Sequence, residues 1–436
     1  MKYSKYNSII KISDTHYIFY NAFSDKFIIL KNVAYNDINI NDPDILIIKN
    51  PILYEQLIKI NGIVDNELDE TKLVHDLIKK TDNDDTVFYL HLNPTVDCNF
   101  RCWYCYENHI KGSRMSNEVL KSVKELIKNT INDQSNLQTF ILSFFGGEPI
   151  MYFNLIAKPL IDYVYALCIS LRIKVCIHFT SNGYLLNESI INYFKDKDVC
   201  FQITLDGAKK DHDKTRYSRN GHGSYEKIIK NIKKLVRIGV SVILRINYTS
   251  KNVSDVNEIL QDLDDIESNY RDRIHIDFQR VWQDMDPTVN NDINDIIYGH
   301  IKHFLVSGYK VSFHKIMDSV RNSCYADKKN HALINYNGDV FNCTARDFTS
   351  KKRSGILLLD GRIKWEDNSF ERRMSAKFSK RICQNCRISP LCGGGCSQRA
   401  LESHLDDNCI YSYNDDDINR IILDRFEFMF LDYKSN

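Results

Sequence analysis

The chain has 436 residues, enough for two or three domains, and its 43% hydrophobic and 26% charged content is that of an ordinary globular protein. A formal net charge of +1 leaves no electrostatic case for nucleic acid or a membrane surface. Met1–Lys11 lacks the apolar core of a signal peptide and no membrane-length apolar run is evident, so the thirteen cysteines are expected as metal or redox ligands in a cytoplasmic protein rather than as disulfides.

Residues 1–87 hold no cysteine. Runs of β-branched and aromatic residues predict strands over His16–Asn21 and Lys26–Lys31, joined by a hairpin at 22–25. Amphipathic stretches follow around Pro51–Ile60 and Glu70–Lys80, with a short strand at Gly62–Asp65 between them, so a small α+β domain is expected. Polar Lys79–Asp85 reads as a linker. From 88 to 310, six strands alternate with helices. The strands are Phe88–Asn93, Thr139–Phe145, Lys174–Thr180, Cys200–Leu205, Ser241–Tyr248 and Ile274–Val281. The helices are Asn117–Asn132, Leu155–Leu171, Glu188–Lys195, Tyr225–Ile238, Val253–Leu263 and Asp292–Val306. This alternation predicts a parallel sheet with helices outside, curled into a barrel or partial barrel. Chemistry then belongs on the loops at the C-terminal strand ends. From 311 to 436 the pattern loosens into short strands at Phe313–Met317, Leu333–Val340 and Ile356–Lys364, with a hairpin turn at Asn337-Gly338 and a last helix over Ile418–Leu431.

Three cysteines, Cys98-x3-Cys102-x2-Cys105, follow the first of the six strands. Thiolates are natural ligands of a cubane [4Fe–4S] cluster, and three of them leave one iron corner open to a small molecule. A structural zinc site normally wants a closed set of four, although a zinc loop stays chemically open. Gly146-Gly147-Glu148-Pro149 ends the second strand, where glycines let the backbone approach a ligand closely. Both motifs therefore fall on one rim. Seven more cysteines, Cys324, Cys343, Cys383, Cys386, Cys392, Cys396 and Cys409, crowd the C-terminal segment, and Gly393-Gly394-Gly395 lets the chain wrap tightly among them. A pair of zinc ribbons is the alternative for these seven. Cys168, Cys176 and Cys200 sit in apolar runs and read as core thiols.

The Cys98, Cys102, Cys105 spacing with Gly146–Pro149 resembles the signature of the radical S-adenosylmethionine (SAM) enzymes. The later cysteines, with Gly338 between Cys324 and Cys343, resemble the SPASM domain that carries auxiliary iron–sulfur clusters in peptide-modifying members of that family. The resemblance implies a partial (β/α)6 barrel with a C-terminal SPASM domain. It implies three [4Fe–4S] clusters, one binding SAM. Cys98, Cys102 and Cys105 would hold the catalytic cluster. Cys383, Cys386, Cys392 and Cys409 would hold one auxiliary cluster, and Cys324, Cys343 and Cys396 the other, with an open iron or a non-cysteine fourth ligand. Tyr104, Gly146, Gly147, Glu148, Pro149, Ser181, Asn182, Thr204, Asp206 and Arg245 fall where the family lines its SAM pocket. Thr204 stands where serine is more usual, and Tyr104 and Arg245 have packing and ion-pair alternatives.

Members of this kind mostly modify peptides. The N-terminal extension resembles small winged-helix-like leader-recognition domains, and the expected partners are a precursor peptide and a low-potential electron donor such as flavodoxin or ferredoxin. The alternative within the family is an anaerobic sulfatase maturase. Those enzymes carry an aspartate directly after the cysteine matching Cys343, where this chain has Thr344, and Asp347 is out of register. A non-catalytic iron–sulfur redox sensor is the alternative outside it.

Overall fold

The computed structural model describes residues 1–38, 42–284, 290–313, 320–403 and 408–435. They form two compact units, one of 1–84, 315–329 and 370–430, the other of 85–314, 330–369 and 431–436. The first boundary between them falls near 85, and the segment 311–436 contributes to both units. The expected strand at Phe313–Met317 lies, beyond its first residue, outside the described residues.

The first unit contains β1 (Lys2–Tyr3), β2 (Asn7–Lys11), β3 (His16–Asn21), β4 (Lys26–Lys31) and β5 (Ile63–Val64). β2, β3 and β4 form an antiparallel meander, and β1 pairs with β5. Successive residues of a strand face opposite sides, and β3 uses both. Phe19 packs with Leu46, Leu53 and Leu57 of the helices Pro43–Lys49 and Pro51–Lys59. Ile18 and Tyr20 join Val74, Ile78, Phe378, Cys383, Leu391 and Ile422. The helix Glu70–Asp82 opens on Asp69, whose carboxylate accepts the Lys72 N–H. Its last turn takes up half of the expected linker, because Asp82 is buried and pairs with Lys377 at 3.2 Å.

The second unit is built on one sheet. β6 (Val87–Leu92), β7 (Thr139–Phe144), β8 (Lys174–Ser181), β9 (Val199–Leu205), β10 (Ser241–Tyr248), β11 (Ile274–Arg280) and β12 (Lys310–Phe313) lie side by side in chain order, all parallel. Beyond β6 the sheet continues through β13 (His331–Ile334), β14 (Asp339–Phe341), β15 (Gly355–Leu357) and β16 (Ile363–Trp365). β13 runs parallel to β6 and the rest are antiparallel. The six strand-then-helix units expected from the sequence are present in the expected order, and β12 adds a seventh parallel strand. The helix Tyr225–Arg237 shows why the pattern was readable: Ile228, Ile232, Leu235 and Val236 are buried on one stripe, and its lysines face outward. Pro149–Leu171 is the helical stretch long and apolar enough for a membrane span among the described residues, where the sequence reading expected no membrane-length apolar run. It buries Leu160, Ile161, Val164 and Cys168 and packs on β8, as the core helix of a globular domain does.

One face of the parallel strands is a dry core of Phe88, Leu90, Phe140, Leu142, Phe179, Phe201 and Leu244. The alternate residues are more polar and half-buried. By register Thr204, Arg245 and Asp277 form one row across β9, β10 and β11, and Asn247 and Gln279 the next.

Candidate active site

The loop that follows β6 carries Cys98, which is buried, Cys102, which is half-buried, and Cys105, which is exposed. Asp97 organises its start. Its carboxylate accepts the backbone N–H of Cys98 and of Gly112, each at 2.8 Å, and Arg219 Nη2 at 2.6 Å. Burial works to raise this carboxyl, but the Gly112 bond and the Arg219 guanidinium outweigh it and hold it below the usual carboxylate range. The thiols go the other way. Burial pushes Cys98 up to about 12 and Cys105 up to about 11, and raises Cys102 as well. The free loop thus keeps its sulfurs protonated, and ligation to a metal must release those protons.

Gly146 and Gly147 meet this loop back to back. A Cβ on Gly146 would lie 2.6 Å from Asn93 Cγ, and one on Gly147 would lie 2.0 Å from the Asp97 carbonyl oxygen. Both residues also have positive φ, 77° and 51°. Glycine is required here for space and for backbone conformation. The Gly147 N–H donates to Glu107 Oε2 at 2.7 Å, and the Glu148 N–H to the Asp97 carbonyl at 2.9 Å. Burial raises Glu107 to about 7. The Glu148 side chain is fully buried and works as a clamp. It accepts from Ile150 N–H at 3.0 Å, Ser181 Oγ at 2.8 Å and Asn182 N–H at 2.7 Å, tying the end of β7 to the end of β8. Pro149 opens the 3-10 turn that follows. Asn182 continues the chain of contacts, donating to Asn99 Oδ1 at 2.8 Å and lying 3.9 Å from Cys98 Sγ.

Tyr104 sits in a polar network rather than an apolar pocket. Its hydroxyl lies 2.7 and 2.8 Å from the two Asp206 oxygens and accepts from Arg216 Nη1 at 2.7 Å and Asn247 Nδ2 at 3.1 Å. Arg245 Nε donates to Asn247 Oδ1 at 3.2 Å. Thr204 is buried at the end of β9 in register with Arg245. Tyr104, Asp206 and Asn247 line a cavity of about 520 Å³ together with Trp103 and Lys214. The rim therefore gathers Cys98, Cys102, Tyr104, Gly146–Pro149, Ser181, Asn182 and Asp206 into one contiguous set. Arg245 touches it through Asn247.

In the first unit, Cys383, Cys386, Cys392 and Cys409 line one cavity of about 570 Å³ with Gly394 and Tyr411. Gly394 and Gly395 have φ of 90° and 80°, and a Cβ on Gly394 would lie 2.5 Å from the Phe378 nitrogen. Cys324 opens the turn Tyr325–Asp327, and Cys396 caps the helix Ser397–Glu402. These two elements are joined by a Ser397–Asp327 hydrogen bond. Cys343 follows β14 in the second unit, where its sulfur accepts the Ala345 N–H at 3.3 Å. Among the described residues no three His, Cys, Asp or Glu side chains converge tightly enough for a single metal ion. A tetrahedral zinc at about 2.3 Å per Zn–S bond needs sulfurs about 3.8 Å apart. A cubane spreads its thiolates over separate irons, so a wider set of cysteines around a cavity suits it better.

Three residues that hold the rim were not singled out from the sequence: Glu107, Arg216 and Arg219. Nothing in local spacing marks them, since each acts on a partner distant in the chain. Cys176 also differs from expectation. It is no core thiol, because its sulfur donates to Asp198 Oδ2 at 3.3 Å and that carboxylate pairs with Lys174.

Residues 92–263 match the model of the radical SAM superfamily. The chain is 23% identical over 440 residues to the radical SAM cyclopropyl synthase TigE of Paramaledivibacter caminithermalis, covering 90% of this chain and 89% of that one. It is 32% identical over 162 residues to a cysteine-type anaerobic sulfatase-maturating enzyme of Clostridium novyi, covering 36% of this chain and 42% of that enzyme. Among solved structures, anSMEcpe with bound AdoMet aligns with TM-score 0.59 at 17% identity, over 80% of this chain and 99% of that one. Streptococcus suis SuiB bound to S-adenosylmethionine aligns with TM-score 0.51 at 16% identity, over 94% and 99%. At these identities the solved structures speak to the fold.

Proposed function

We propose that this chain, whose residues 92–263 match the radical SAM superfamily model, is a SAM-dependent maturase of a ribosomally synthesised peptide. Cys98, Cys102 and Cys105 hold the catalytic [4Fe–4S] cluster, and the auxiliary cysteines hold two more. When bound, a cluster and SAM would supply radical abstraction of hydrogen from a substrate C–H bond, with the electron coming from an external low-potential donor. The protein's share is positioning. Gly146 and Gly147 let the β7 loop close on the cysteine loop. Glu148 and Asn182 fix the β8 end against Cys98. The row of Thr204, Arg245 and Asp277 offers polar contacts for SAM and for a substrate beside it. The observation that carries this reading is the Glu148 clamp, a buried carboxylate spent on aligning two strand ends beside the three-cysteine loop.

Two observations favour a peptide maturase over a formylglycine-forming enzyme. Thr344 follows Cys343, and its carbonyl accepts the Tyr106 hydroxyl at 3.0 Å. Asp347, the nearest carboxylate after it, is taken up by Lys352 at 2.8 Å and is poorly placed to act as a free base. The same reading assigns the precursor's leader to the N-terminal segment. Val33, Ile48 and Ile52 stand 76%, 86% and 71% exposed on its helices and give it apolar surface. It also implies a low-potential protein electron donor and a cytoplasmic setting.

The test is anaerobic iron and sulfide analysis with reduced-state EPR, with and without SAM. Three clusters predict about twelve irons per chain and a signal that SAM perturbs. About eight irons with no SAM effect would point to a sensor or scaffold instead.

A further inference from the structure

The helix Lys209–Thr215 and the segment that joins it to Tyr225–Arg237 have no assigned role, yet they are cross-braced by several buried hydrogen bonds. His212 is fully buried. Its Nδ1 accepts the Asp206 N–H at 3.2 Å and its Nε2 faces Ser224 Oγ at 2.9 Å. Ser224 Oγ in turn donates to the Arg216 carbonyl. The Asp213 carboxylate receives the N–H groups of Ser224 and Tyr225 at 2.7 and 2.9 Å. Gly223 passes so close that a Cβ there would lie 2.4 Å from Asp213 Oδ2. Tyr217 and Gly223 close the loop with a β-bridge.

This bracing fixes two arginines three positions apart, and both point at the cysteine loop. Arg219 Nη2 reaches Asp97 Oδ1 at 2.6 Å and the Cys98 carbonyl at 2.7 Å. Arg216 Nη1 reaches the Tyr104 hydroxyl at 2.7 Å, and its guanidinium lies 5.9 Å from the Phe100 ring. The first grip is at the first cysteine and the second lies between Cys102 and Cys105. Arg216 is buried, its Nε has no hydrogen-bond partner, and the Asp206 carboxylate is 3.8 Å away. A buried cation so incompletely matched is costly for the isolated protein. An anionic group beside the loop would offset that cost.

We propose that Arg216 and Arg219 form a clasp that presets the Cys98–Cys105 loop and supplies positive charge to the iron–sulfur group it holds. They are positioning residues acting through Asp97, Cys98 and Tyr104. The inference rests on reading the three cysteines as cluster ligands, and it concerns how the chain prepares that site.

The test uses full-length protein with Arg219→Gln, Arg219→Lys and Arg216→Lys. Arg219 is 39% exposed at its side chain, so its replacement should leave the fold intact. In metal-free protein, amide hydrogen exchange over 97–105 should rise in Arg219→Gln and return toward wild type in Arg219→Lys. This readout needs no cluster. In reconstituted protein, a chelator should strip the SAM-sensitive EPR signal about tenfold faster from Arg219→Gln, the scale expected when a partner of a metal ligand is lost. The midpoint potential of that signal should move to more negative values in Arg219→Gln, because a cation that favours the reduced cluster is gone, and Arg219→Lys should restore it. Unchanged exchange in Arg219→Gln, or equal chelation and potential in all variants, overturns the clasp. A wild-type protein without any SAM-sensitive signal would instead overturn the proposed function, and the exchange experiment would still decide whether the loop is held by the arginines.

Discussion

At the scale of single residues, the rim depends on atoms that are absent as much as on those present. Gly147 has room for hydrogen only, with the Asp97 carbonyl 2.0 Å from a would-be Cβ. Gly112 is a natural comparison, because its φ is 75° and nothing lies within 4 Å of its would-be Cβ. Gly112→Ala should therefore carry only the left-handed backbone cost, about 1–2 kcal/mol. Gly147→Ala should add about 1–3 kcal/mol of overpacking and push Asp97 and Cys98 aside. Urea melts of the two apoproteins should rank them so, and only Gly147→Ala should lose the SAM effect on EPR. Equal melts would mean that the cysteine loop yields easily. Glu148→Gln makes the complementary case. The carboxylate accepts from three donors. An amide brings its own N–H into that set, leaving a buried donor unsatisfied at about 1–3 kcal/mol. The Cys98–Cys105 loop and Gly146–Pro149 stand out in the sequence because residue type and spacing are each confined to one short stretch. Arg216, Arg219 and Glu107 do not, because their roles exist only after distant loops meet.

At the scale of elements, the hydrophobic period found all six strands of the repeating units to within about one residue and found the helices with wide apolar stripes. It missed Lys209–Thr215, whose sequence KKDHDKT offers no apolar stripe and buries only His212. It also missed that β13 to β16 join the large sheet, since His331–Ile334 pairs with β6 far away in sequence. The N-terminal segment gives the most practical correction. In the sequence it reads as a small domain followed by a polar linker. Val74 and Ile78 in fact share a core with Phe378, Cys383, Ile388 and Leu391. Ile78 is 5% exposed, and Ile78→Ala should cost about 2–5 kcal/mol in the first unit. On the proposed assignment of an auxiliary cluster to Cys383, Cys386, Cys392 and Cys409, it should also speed chelation of iron there. Iron at those cysteines as resistant as in wild type would show that the cluster stiffens the unit enough to outweigh the lost contacts. Deletion of 1–84 would be a poor probe of leader binding for the same reason, and exposed positions such as Ile48 serve better.

At the scale of the whole molecule, acid should act on the second unit through histidines that burial keeps neutral. Burial, with a smaller contribution from His178, pulls His91 down to about 3. His91 lies on β6 with the His331 ring 5.2 Å away, centroid to centroid. Burial likewise lowers His212 well below its ordinary value, and its Nδ1 must stay unprotonated to accept the Asp206 N–H. In the unfolded chain both titrate near 6.5. Above that value neither state binds the proton and nothing is lost. Between about 6.5 and 3 the unfolded chain takes up protons that the native state refuses, so stability falls as pH falls. Each histidine contributes a slope of up to about 1.4 kcal/mol per pH unit. The three tryptophans, Trp103, Trp282 and Trp365, all belong to the second unit, so their fluorescence reports its unfolding alone. Glu107, raised to about 7, acts in the opposite sense between about 7 and 4.5, so the histidine contribution is read as a difference between urea midpoints of two reduced apoproteins. From pH 8 to about 6.5 His91→Gln should differ from wild type by a constant amount, and below that its midpoint should fall less steeply than that of wild type. An acid limb as steep as in wild type would mean that His91 takes its proton inside the folded sheet, and that water reaches the polar face of the strands more freely than its burial allows.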